Sequence, residues 1–115
     1  MNENTIARLD QEIEDGRKLV ESGLALERLY RNKDFKKIIL DGYLKEDAIR
    51  LVHLKGAPMA DSENAQKKII RDIDAISSFN MYLINTQQMA ATAAKNVDFA
   101  EQTRHEYVNS GEYDE

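Results

Sequence analysis

The chain has 115 residues, no cysteine and a formal net charge of −5. That length makes room for a single domain, 1–115, with a modest core, and the missing cysteine excludes disulfides, thiolate nucleophiles and cysteine-based zinc sites. Charge is unevenly spread: residues 1–16 carry one positive and five negative side chains, 17–60 ten and six, 61–115 five and ten. Segments of opposite sign favour contacts between copies of the chain over nucleic-acid binding. The opening stretch MNENTIARLDQEIED is acidic and lacks the apolar run of a signal peptide. A soluble protein made in a cytoplasm is therefore expected.

The first periodic segment predicts a helix over about 5–31, with Asn4 or Thr5 as its N-cap. Ile6, Leu9, Ile13, Val20 and Leu24 recur at three- and four-residue steps, the spacing of one helical face. In heptad terms one seam position reads Ile6, Ile13, Val20, Glu27 and the other Leu9, Gly16, Gly23, Tyr30. Two glycines at one seam position, each costing about 0.5–1 kcal/mol in a helix, point to a second backbone close by. Gly16 and Gly23 are accordingly candidate contact positions; a locally weakened helix is the alternative.

Asn32-Lys33-Asp34 interrupts this segment, and Asp34 is a candidate cap for a short helix over about 35–41. Asp41-Gly42 closes it, with Gly42 expected in the left-handed conformation. A third helix is expected over about 45–55, with Leu44, Ala48, Leu51, Val52 and His53 on its apolar side. Gly56-Ala57-Pro58 stops it, because proline cannot continue a helix. Asp61 or Ser62 then caps the last helix, about 62–109, which meets no glycine or proline before Gly111. An acidic tail, 110–115, follows.

Within that last helix, Ala75 to Ala94 reads AISSFNMYLINTQQMAATAA and contains no charged residue. It is too polar for a membrane span, so no membrane association is expected, and too weakly charged to stand alone in water. Ile69, Ile73, Ile76, Asn80, Leu83, Gln87, Ala90, Ala94 and Val97 form its best seam. Asn80 and Gln87 thus fall at core-like positions, where a polar side chain costs stability but can set register and oligomer state. Phe79, Tyr82 and Met89 lie off that seam, so several sides need cover. The predicted interface set is Gly16, Gly23, Phe79, Asn80, Tyr82, Leu83, Gln87 and Met89. The fold class is all-α, a helical hairpin or bundle with a long C-terminal helix, completed by oligomerisation as a coiled-coil-like homo-oligomer.

Chemistry is sparse. His53 lies among Leu51, Val52 and Leu54 as a boundary residue, and Glu101 and His105 share a helix face at four-residue spacing, but two candidate ligands without a second pair do not make a metal site. Asp72 and Asp74 point differently on a helix, Ser77 and Ser78 lack a nearby histidine, and the five glycines are scattered, so no phosphate loop exists. No cofactor, no metal and no enzymatic activity are expected. Arg28, Arg31, Lys33, Lys36 and Lys37, with Tyr30 and Phe35 interleaved, form a candidate polyanion contact. Glu27, Asp34 and Asp41 dilute it.

The block Leu26 to Val52, LERLYRNKDFKKIILDGYLKEDAIRLV, resembles small all-helical proteins encoded by tailed bacteriophages. The resemblance lies in Leu29-Tyr30, Asp34-Phe35-Lys36-Lys37, Gly42-Tyr43 and Arg50-Leu51, and spans about a quarter of the chain. It transfers no catalytic residue. It implies a non-enzymatic virion or assembly component that contacts copies of itself or other phage structural proteins. The alternative is a small phage effector that binds and inhibits a host protein or nucleic acid.

Overall fold

Backbone capping divides the chain into three helical runs. The computed structural model describes residues 2–111, 94% of it helical and none of it strand. Helix α1 spans Asn2–Arg31, so Asn4 and Thr5 lie inside it and neither is its cap. It stops where Asn32 turns extended (φ −78°, ψ 124°). The Asn32 side-chain oxygen accepts the Phe35 N–H at 2.9 Å and starts the next run. Asn32, not Asp34, is therefore the cap, because only Asn32 leaves helical backbone; Asp34 sits within α2 (Lys33–Phe35).

The second run does not break at Asp41-Gly42. It passes from α2 through a wide π-helical segment, Lys36–Asp47, into α3, Ala48–Lys55. Gly42 is not left-handed; among the described residues the one glycine with positive φ is Gly111, at 78°. The physical reason is the π turn. An i→i+5 turn takes up one more residue than an α turn, so the run carries Gly42 along without reversing direction. A Cβ at Gly42 would lie 3.1 Å from the carbonyl oxygen of Lys37, five residues back. The same run sets Tyr43, Leu44 and Ala48 against Leu51.

Gly56 and Ala57 close α3 by donating backbone N–H groups to His53 and Leu54 carbonyls. A 3₁₀ turn, Pro58–Ala60, follows. Ser62 then caps α4, Glu63–Ser110, its hydroxyl accepting the Ala65 N–H at 3.2 Å. Gln66 ties the turn to the helix, its side-chain amide donating to the carbonyls of Lys55 (2.9 Å) and Ala60 (2.7 Å). Removing both bonds with Gln66→Ala should cost about 1–2 kcal/mol, read as a lower midpoint in a thermal melt. An unchanged midpoint would mean that water replaces the amide at no loss.

The chain folds as two compact units, residues 1–26 with 86–115, and residues 27–85. In the second unit Leu51, Ala60, Ile69 and Ile76 form the core, flanked by Tyr43, Leu44, Ala48, Leu54, Ala65 and Ile73. Tyr43 meets Phe79 edge to face at 6.0 Å, a geometry aromatic pairs favour. Val52 and His53, expected on the apolar side of α3, are exposed. They fall a quarter-turn and more past Leu51, the residue that faces the core. In the first unit Leu9, Ile13, Val97 and Ala100 form the core, and Leu24, expected on the same face, is 45% exposed. The acidic tail lies, from residue 112 onward, outside the described residues.

Candidate interaction surfaces

In the first unit, the N-terminal part of α1 runs antiparallel to the C-terminal part of α4. Gly16 faces Val97, Gly23 faces Ala90, Arg17 pairs with Glu101 at 3.3 Å and Arg104 with Asp10. Small residues make the contact close. A Cβ added at Gly16 would fall under 3.0 Å from Val97 Cγ2, and one at Gly23 under 3.0 Å from Ala90 Cβ. Both ion pairs are solvent-exposed, and such pairs contribute at most about 1 kcal/mol each. They mark one polar side of the helix pair.

A groove lies beside the same seam. Its floor is apolar, with Leu9, Leu19, Met89, Ala93, Phe99 and Ala100, and its volume is about 710 Å³. Leu19 is 38% exposed, Met89 52% and Phe99 71%. Two helices cannot enclose side chains that point away from both, and the described residues of this unit supply only α1 and α4. The charged residues that line the groove are Glu12 and Asp15; α4 contributes the neutral Gln88, Thr92, Asn96 and Thr103.

A second surface lies in the unit of residues 27–85. Arg28, Arg31, Lys33, Lys36 and Lys37 are all exposed, and none has an ion-pair partner among the described residues. Tyr30 and Phe35 lie beside each other, ring centroids 6.1 Å apart and tilted by 46°. Leu29 (45% exposed) and Ile38 (62%) stand among these cations.

The predicted interface residues separate into three groups. Gly16 and Gly23 lie on the face of α1 that meets α4, and Leu83 is buried. Phe79, Tyr82 and Met89 are exposed, Phe79 with its ring against Tyr43. Asn80 and Gln87 are exposed and not at core positions. In their place, the buried residues of α4 are Ile69, Ile76, Leu83, Ala93, Val97 and Ala100. Phe99 was missed as an anchor because the uncharged stretch ends at Ala94. Its signal was the three- and four-residue spacing Met89, Thr92, Asn96, Phe99, Thr103, which continues past Lys95.

The groups weighed for chemistry lie apart. Among the described residues no three metal-ligating side chains converge. His105 shares a hydrogen bond with the Asn109 amide at 2.9 Å, and Asp72 accepts from Lys68 at 2.8 Å. Ser77, Ser78 and His53 are exposed. No described helix is long and apolar enough to cross a membrane. No protein family, curated protein or solved structure matches the chain.

Proposed function

We propose that the chain is a non-enzymatic assembly protein that acts through helix–helix contacts, as a homo-oligomer or with other structural proteins. Following the resemblance of residues 26–52, the setting is a tailed-phage particle: the virion, or the cytoplasm of the producing cell before assembly. One observation carries this reading. The face of the first unit that exposes Leu19, Met89 and Phe99 surrounds an apolar groove, in a protein whose helices bury little by themselves. Exposed apolar patches of this kind mark interaction sites.

The test is Met89→Glu with Phe99→Glu, following mass by ultracentrifugation and helicity by circular dichroism. Both side chains are mostly outside the core, so helicity should persist while assembly mass is lost. Mass unchanged from wild type would contradict the reading, and so would unfolding, which would place both residues in an ordinary core.

A second reading has its own observation. Five cations without ion-pair partners among the described residues, next to Tyr30 and Phe35, suit an effector that grips nucleic acid or an acidic host protein. That reading expects a monomer or dimer whose affinity for a labelled oligonucleotide falls steeply with salt. The assembly reading expects oligonucleotide binding no stronger than that of other surfaces of like charge.

A further inference from the structure

The groove and the basic segment complement each other, although each is exposed in its own unit. The groove has an apolar floor, and every charged residue that lines it is acidic. The segment over residues 28–38 offers the converse: five cations without ion-pair partners among the described residues, against the one carboxylate Asp34, around the exposed apolar side chains Leu29 and Ile38. Net charge points the same way. The unit holding the groove carries five cationic and twelve anionic side chains, the other unit eleven and nine. Two grooves meeting face to face would bring together two units of net −7. A groove meeting the basic segment brings −7 to +2, and electrostatic complementarity of this kind selects partners and fixes register.

We infer that the occupant of the groove is a second copy of this chain, which docks its basic segment, residues 28–38, between the acidic rim residues Glu12 and Asp15 and the Met89–Phe99 face. The inference rests on the assembly reading and adds its geometry. The two patches differ, so the contact pairs unlike surfaces: made reciprocally it closes a two-fold dimer, and repeated head to tail it closes a ring or extends a filament. Attraction between exposed charges is screened over about 10 Å at 0.1 M salt and about 3 Å at 1 M, so association should weaken as salt rises.

The test is a charge swap read by sedimentation. Three full-length variants are compared with wild type: Glu12→Lys with Asp15→Lys, Arg28→Glu with Arg31→Glu, and all four changes in one chain. Each double variant alone should associate on the order of tenfold more weakly at low salt, since attraction becomes repulsion at one patch. Mixing the two doubles, or combining all four changes, should restore association, because lysine rims then meet glutamate segments. All the substituted side chains are exposed, and circular dichroism checks that each variant keeps its helices. Should the Arg28/Arg31 variant lose helicity at the end of α1, Lys33→Glu with Lys37→Glu replaces it. Arg28/Arg31 variants that associate like wild type, or a fourfold variant no better than the doubles, overturn the groove-to-segment contact and leave the assembly reading standing. A wild-type chain that never associates with itself overturns the contact, and overturns the assembly reading as well when no structural partner is recovered from the producing cell.

Discussion

Replacing Gly16 and Gly23 together with leucine is expected to destabilise the chain by about 2–4 kcal/mol, although leucine is far the better helix former. Propensity alone would predict a gain approaching 1 kcal/mol per site. Packing decides otherwise. Even a bare Cβ at either position overlaps an atom of α4, Val97 Cγ2 or Ala90 Cβ. Neither neighbour yields readily: valine is stiff at χ1, and the alanine methyl is fixed to the backbone. Leucine adds three more carbons, so the helices of this unit must separate and Leu9, Ile13, Val97 and Ala100 lose contact. The measurement is a thermal melt. A higher midpoint for the double variant would show that the glycines make no close contact. Gly23→Ala combined with Ala90→Gly offers a finer check, since moving the one methyl across the contact should recover part of the loss from Gly23→Ala alone.

The second large effect is expected in the other unit. Leu51 is 1% exposed, the most deeply buried large side chain described, and sits against Ala60, Ile69 and Ile76. Leu51→Ala should cost about 2–5 kcal/mol, the transfer of the lost atoms plus the cavity left behind. The next residue supplies the control. Val52 is 61% exposed, so Val52→Ala should fall within about 0.5 kcal/mol of wild type. Chemical denaturation of the two variants separates them. Equal losses would mean that both residues face the core.

The helical content, the Ser62 cap, the stop at Gly111 and the glycine seam of α1 were all legible from residue type and spacing. Each is a local property: a side-chain oxygen before a helix, a residue tolerant of positive φ, a repeat that follows helical geometry. Two features were not legible. Asp41-Gly42 is a strong local stop signal, yet the run continues, because the π-helical segment lets Tyr43, Leu44 and Ala48 pack onto Leu51. Tertiary packing overrides a turn preference worth little more than 1 kcal/mol, roughly the cost of a glycine within a helix. The other is the place of Asn80 and Gln87. One heptad register was laid along the whole of α4, and one of its two seam positions holds through both units: Ile69, Ile76, Leu83 and Val97 are buried, with Ala90 against Gly23. The companion position moves, from Ile73, four residues past the stripe, to Ala93 and Ala100, three residues past it, and leaves Asn80 and Gln87 outside the core. The groove was half legible. Met89 was singled out, but Leu19 and Phe99 become a surface with it only once the N-terminal part of α1 lies along the C-terminal part of α4.

The most direct test of an assembly role is the mass of the unaltered protein in solution. Sedimentation velocity over a wide concentration range, at low and at high salt, reads it without any substitution. The account predicts species at multiples of 13.2 kDa that grow with concentration and shrink as salt is raised. A single 13.2 kDa species at every concentration and salt, with no structural partner recovered from the producing cell, would contradict it.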